Sequence, residues 1–199
     1  MTDGLRPERF DNYELGGKSE ILDGLLATAA IYQLDRSNTG ASDPLDPSHT
    51  VLTGKQRSRG IELGLERSVT SRWLISGGYS FQDAKIITST AAAPAGRRVP
   101  LVPRHSFSLW NRYDLTKRTG VGLGLITRSR SHASISNAVK LPGYARVDAA
   151  LFYRLPRGLE AQLNVENLLG ARYFPTASND NNIAPGAPRS IKATLGHTF

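Results

Sequence analysis

Four carboxylates stand at spacings that acid/base chemistry could use: Glu62 with Glu66, and Glu160 with Glu166. Paired carboxylates can divide the roles of proton donor and base or nucleophile. Each of the four lies on the polar parity of an alternating segment, as do Arg112, Arg128, Arg146 and Arg154. In that setting they read as a charge network lining an interior. The histidines His49, His105, His132 and His197 lack metal-ligand spacing such as H-E-x-x-H, and no G-x-S-x-G elbow is present. Asn179, Asp180, Asn181 and Asn182 offer oxygens, but without EF-hand spacing or its terminal Glu; as turn formers they are accounted for. Gly120, Gly122 and Gly124 spell G-x-G-x-G, the shape of a phosphate loop, yet inside an alternating run. Small residues there would admit close packing against another body. With no cysteine in the chain, thiol chemistry and Cys-ligated metals are also removed. No catalytic, cofactor or metal site is expected, and the chain reads as a non-enzyme.

The elements that would position these residues are strands. Residues 189–199 read R-S-I-K-A-T-L-G-H-T-F, with Ile191, Ala193, Leu195, His197 and Phe199 on one parity and Ser190, Lys192, Thr194, Gly196 and Thr198 on the other. A period of two is a strand with one less polar face. A strand running to an aromatic carboxyl terminus points to an outer-membrane barrel, in which the last strand must be paired. The same alternation recurs backward along the chain, through Leu159–Val165, Val147–Tyr153, Val121–Leu125, Phe107–Tyr113, Trp73–Phe81 and Ile61–Leu65, with weaker runs over 13–18 and 26–35. This predicts about nine strands and no helix. Short connections near 22–24, 69–71, 116–119 and 156–158 alternate with long ones over about 37–55, 88–103, 132–142 and 168–188. Short turns on one side and long loops on the other suit an up-and-down transmembrane β-barrel.

The parities give a two-sided expectation. Ile61, Leu63, Leu65, Leu109, Leu123, Leu125, Ala149, Leu151, Leu163, Val165, Ala193 and Leu195 should face lipid. Glu62, Glu66, Arg112, Arg146, Asp148, Gln162, Asn164 and Lys192 should face the concave side. Trp73, Tyr113, Tyr153 and Phe199 fall at the short-turn end as an aromatic girdle, with Tyr32, Tyr79, Phe81 and Phe107 toward the other end.

Composition fits one domain over residues 1–199. Hydrophobic residues make up 39% of the chain, and no run approaches the ~20 apolar residues of a membrane helix. The net charge of +8 raises nucleic acid as a partner. The basic residues are spread along the chain, with short clusters at 55–59 and 128–130. They read as loop and lumen charge near anionic lipid headgroups, with no nucleic acid as partner. Residues 1–10 hold no apolar signal-peptide core. Either the chain is a carboxyl-terminal piece of a longer precursor, or it is not exported.

Six stretches carry a resemblance: R-P-E-R-F-D-N-Y-E-L-G (6–16), R-S-R-G-I-E-L (57–63), V-P-R-H-S-F-S-L-W (102–110), L-P-G-Y-A-R-V-D-A-A (141–150), L-N-V-E-N-L-L (163–169) and N-D-N-N-I-A-P-G-A-P-R (179–189). In this order they resemble the carboxyl-terminal barrel part of TonB-dependent outer-membrane receptors for ferric siderophores, the ferrichrome and catecholate-type branch most of all. The resemblance implies a barrel of twenty-two strands in the cell outer membrane, filled by a plug through which TonB acts. This chain supplies about nine strands, no plug and no TonB-gripping segment, so a truncated or partial reading frame is the expectation, unable to transport by itself. The implied partners are a ferric siderophore and TonB in the full-length protein, together with outer-membrane lipid; no cofactor is implied.

Two other classes stay open on the residues alone: a self-contained small outer-membrane barrel, and a soluble basic β-sandwich binding a polyanion. For the receptor, the candidate ligand loop is 168–188. Its Arg172, Tyr173 and Phe174 could meet an anionic, aromatic chelate or simply begin the loop at the interface; Asn179, Asp180, Asn181 and Asn182 form its tip.

Overall fold

Alternating side chains leave a strand with two chemically different faces, and pairing carries that difference from strand to strand. The computed structural model describes residues 7–43, 45–46, 48–91 and 93–197. Along the chain, β1 (Arg9–Leu22) turns tightly into β2 (Leu25–Ser37). A loop follows that carries a small ribbon of β3 (Gly40–Ser42) and β4 (Thr50–Leu52). Next come β5 (Gln56–Thr70), β6 (Trp73–Ile86), β7 (His105–Asp114) and β8 (Thr119–Arg128). A second ribbon pairs β9 (Ser131–His132) with β10 (Lys140–Leu141). Then β11 (Tyr144–Arg154) and β12 (Leu159–Glu166) precede a third ribbon of β13 (Thr176–Ala177) and β14 (Ile183–Ala184), and β15 (Ser190–His197) ends the series.

Nine of these strands form one sheet in the order β1-β2-β5-β6-β7-β8-β11-β12-β15, every pair antiparallel. The expectation of nine strands in simple up-and-down order holds. A single sheet is no sandwich, and the sheet is not closed on itself: among the described residues, β1 and β15 each have one neighbour. Both alternatives to a barrel wall lose their architecture there. The six short strands were not foreseen, because two or three residues are too few to show a period.

The register joins equivalent residues into rows. One row reads Ala27–Leu65–Gly77–Leu109–Leu125–Val147. Another reads Arg67–Ile75–Asn111–Leu123–Ala149–Val165–Ile191. All twelve residues expected on the apolar face share one side of the sheet, and all eight expected opposite share the other. The exposure pattern is inverted relative to a water-soluble domain. On the apolar face Leu123 is 54%, Ile191 67% and Leu195 66% exposed, while Ala150 and Phe152 on the polar face are 7% and 6% exposed. A continuous sheet of exposed aliphatic side chains needs a non-aqueous neighbour.

At the turn end of the apolar face Trp73 pairs with Tyr113, and Tyr153 lies in the same belt two strands on; Phe199 lies outside the described residues. At the loop end Tyr79 pairs with Phe107 and Phe81 with His105. Tyr32 departs from this belt. It sits on the polar face, over Gly60, and its hydroxyl donates to Gln82 at 3.3 Å.

The G-x-G-x-G run also has a different purpose from the one expected. A Cβ at Gly122 would lie 2.5 Å from the Trp110 ring, and one at Gly124 would lie 2.7 Å from it. The indole of β7 lies flat across β8, so the space left by these glycines is filled by Trp110 of the same sheet. Gly122→Val is therefore expected to destabilise the barrel wall by about 1–3 kcal/mol through overpacking. Detergent-solubilised unfolding, followed by the emission of the chain's two tryptophans, would report it. Trp110→Leu in the same chain should recover most of the loss, and no recovery would show that the strain lies elsewhere.

Candidate functional site

The polar face holds the ionic chemistry. Arg112 lies over the Phe152 ring at 4.0 Å and reaches Asp114 at 3.3 Å and Glu160 at 3.6 Å, while Arg154 meets Asp114 at 3.2 Å. Farther along, Arg146 pairs with Asp148 and Lys192 with Glu166, both at 2.7 Å. Only part of the expected network forms as expected. Glu160 does join Arg112, but Glu166 takes Lys192, and Glu62, Glu66 and Arg128 form no ion pair among the described residues. Asp114 and Asp148, outside the carboxylate set picked from spacing, supply the bridging charge. The paired carboxylates are matched to arginines and a lysine rather than to one another, an arrangement that holds a wall together and offers no acid/base pair.

The loop end is built as one connected canopy. Loop 38–55 joins loop 87–104 through the Thr90 hydroxyl, which donates to the Leu52 carbonyl at 2.8 Å. Loop 87–104 joins loop 129–143 through Asn137, whose side chain accepts from Arg98 N at 2.7 Å and donates to Arg98 O at 2.9 Å. The Ser136 hydroxyl donates to the Asp180 carboxylate and brings in loop 167–189. Two small apolar cores lie within this canopy: Ile86, Ala93 and Ile135 with Ala41 and Val51, and Ala133, Leu141 and Ala177 with Val139 and Ile183. Among the described residues, six of the ten buried apolar side chains lie in these loops.

The candidate ligand-loop residues divide in two. Tyr173 is buried: its ring lies 4.6 Å from that of Tyr144, Arg146 donates to its hydroxyl at 3.3 Å, and it covers Gly186, where a Cβ would clash with the ring. Arg172 and Phe174, on either side, are exposed. At the tip, Asn179 Oδ1 accepts from the backbone N–H groups of Asn181 and Asn182 at 2.9 and 2.8 Å, a turn closed by a side chain. Asp180 is held by Ser136, while Asn181 and Asn182 are exposed. Among the described residues no group of His, Asp and Glu side chains is arranged to hold a metal.

Sequence reasoning missed Asn167. It is 1% exposed and sits at the root of the loop with a φ of 52°. Its side chain donates to the carbonyls of Ala171 (2.9 Å) and Ala187 (3.1 Å) and accepts from Ala171 N at 2.8 Å, and its own N–H donates to Asp148 at 2.8 Å. One amide thereby clamps both ends of loop 167–189 to the wall. The signal was present as the asparagine that ends the alternating run L-N-V-E-N-L-L.

Residues 1–168 match the family model described as TonB dependent receptor-like, beta-barrel. The chain belongs to the TonB-dependent receptor β-barrel family. Members of that family are β-barrel proteins of the outer membrane. Among the relatives, the probable TonB-dependent receptor BfrD of Bordetella pertussis is 36% identical, over 96% of this chain and 27% of its own length. The catecholate siderophore receptor Fiu of Escherichia coli K12 is 33% identical, over 98% of this chain and 26% of its own. The crystal structure of the siderophore receptor PiuA from Acinetobacter baumannii superposes with a TM-score of 0.82 at 28% identity, covering 98% of this chain and 29% of that one. The chain thus spans about a quarter of the length of the relatives it matches.

Proposed function

We propose that this chain forms part of the wall and outer canopy of an outer-membrane receptor that takes up ferric siderophores, energised through TonB in the full-length protein. The observation that supports it most is the match over nearly the whole chain to siderophore receptors, including a catecholate receptor, in both sequence and fold. The exposed aliphatic band supports residence in the outer membrane, since water would disfavour it by roughly 25 cal/mol per Å² of apolar surface. The canopy supports capture. Four long loops lie on one side and are bonded to one another, and Arg172 and Phe174 offer a cation and an aromatic ring suited to an anionic aromatic chelate. Tyr173 and the turn at Asn179, Asp180, Asn181 and Asn182 give the ligand loop its shape.

Growth on a ferric catecholate as sole iron source, in a strain without redundant receptors, tests this reading. Deleting the full-length gene should abolish growth, and uptake unaffected by deletion would remove the function. Changing residues 179–182 together to alanine should weaken uptake by about tenfold or more, equivalent to ~1.4 kcal/mol of lost binding. Normal uptake by that variant would remove the loop from the mechanism and leave the receptor assignment standing.

A further inference from the structure

A basic pocket of about 440 Å³ opens at the loop end of the sheet, lined by Arg98, Arg104, Arg130, His132, Lys140 and His105 and by no carboxylate. It borders the apolar face of the sheet. His105 is in register with Phe81, on the apolar face, and its ring lies 5.2 Å from the Phe81 ring. It also stacks on Tyr79, whose hydroxyl is 2.8 Å from His105 Nδ1. Asp83 is the next residue on the same parity, and its carboxylate draws Arg98 and Arg104 to this side, each at 3.1 Å. Lys85 adds a third cation to Asp83 at 2.8 Å. The pocket therefore begins where the aromatic belt ends, at the depth where lipid headgroups start.

One carboxylate leaves the pocket with a cationic excess. Among the described residues neither Arg130 nor Lys140 forms an ion pair, and both are exposed. His132 is held at the rim by its Nδ1, 3.1 Å from the Asn137 carbonyl. Burial, together with the nearby Lys140, Arg98 and Arg130, keeps its imidazole below the usual histidine range, so its neutral form is favoured and the arginines and lysine carry the charge. Ser129 completes the back wall, accepting from His105 N at 3.0 Å. Like charges gathered around one concavity in excess of the single carboxylate beside it are costly unless an anion occupies it. Arginine forks and a lysine match the oxygens of a phosphate group.

We infer that this pocket binds the phosphate of an anionic lipid headgroup in the outer leaflet, on the outside of the barrel and apart from the lumen path of the ligand. The inference rests on the membrane orientation proposed above but not on siderophore uptake, which can fail without affecting it. The commitment to lipid, rather than a soluble phosphate, comes from the continuity of the pocket with the apolar face. An acyl chain bound below the headgroup would lie along Phe81, Ile61 and Ile31, which share one row.

The test uses the full-length receptor in a neutral detergent, titrated with mixed micelles containing phosphatidic acid. A variant carrying Arg130→Gln and Lys140→Gln removes the two unpaired charges and leaves the Asp83 cluster intact. Saturable binding to wild type, weakened at least tenfold in the variant, is expected, with phosphatidylcholine micelles bound by neither. A control carrying Lys117→Gln and Arg118→Gln removes equal charge at the turn end and should bind as wild type does. Equal weakening in the control would reduce the effect to net charge and overturn the site. Unchanged binding in the variant would overturn it as well. Inorganic phosphate binding as tightly as the lipid would overturn the lipid assignment. Uptake of ferric catecholate by the variant should stay at the wild-type level. A parallel loss there, in correctly folded protein, would return the pocket to the ligand path and overturn its separation from it.

Discussion

Replacing Leu123 by Arg in the full-length receptor is expected to lower the stability of the barrel in lipid by about 2–4 kcal/mol. Leu123 lies in the middle of β8 on the apolar face, in register with Ala149 on β11 and Asn111 on β7, and is 54% exposed. An aliphatic side chain at that depth lies among acyl chains. A guanidinium there must either lose its hydration or drag water and headgroups inward, and both are costly. The neighbouring parity behaves oppositely. Asn164→Arg places the same charge on the lumen side, beside Gln162 and near Glu166 and Lys192, and should change stability by less than about 1 kcal/mol. Reversible urea unfolding in phospholipid vesicles measures both variants. Because a one-residue slip exchanges the two faces, a costly Asn164→Arg with a neutral Leu123→Arg would invert the whole wall.

The second large effect is expected at Asn167. Asn167→Ala removes three side-chain hydrogen bonds in a site that is 1% exposed, and leaves the N–H of Ala171 and the carbonyls of Ala171 and Ala187 without those partners. At about 1 kcal/mol or more per bond, the local cost is roughly 3–4 kcal/mol. Alanine also tolerates the left-handed backbone of this position, φ 52°, less well than asparagine does. The loss falls on loop 167–189 rather than on the wall, since the nine-stranded ladder is paired independently of it. Amide hydrogen exchange should therefore speed up by two orders of magnitude or more across 168–188 and stay unchanged in β11 and β12. Uniform exchange in both places would show that the amide does not act as a clamp. Asn167→Asp keeps the acceptor for Ala171 N and the conformational preference, and should lie between the two.

The parity of each long strand was legible residue by residue. Ile61, Leu63 and Leu65 against Glu62 and Glu66, or Leu151 and Tyr153 against Phe152 and Arg154, state which face meets which solvent, because a period of two needs no information from elsewhere in the chain. The same holds for the strand count and the alternation of short and long connections. The family motifs were equally visible, since they are contiguous.

What the sequence could not determine was partnership across distance. Glu166 takes Lys192 rather than an arginine, Trp110 fills the space left by Gly122 and Gly124, and Ser136 holds Asp180 from 44 residues away. Tyr173 resembled a ligand contact by residue type and became a buried support over Gly186 by position. Arg98 and Arg104 come from a long loop with no alternation, so only the fold reveals that Asp83 draws them to the apolar face. Period and residue type are local properties written along the chain; the pairing of charges, the filling of glycine gaps and the cross-bonding of loops depend on which strands the ladder makes neighbours, and so are decided only when the sheet forms.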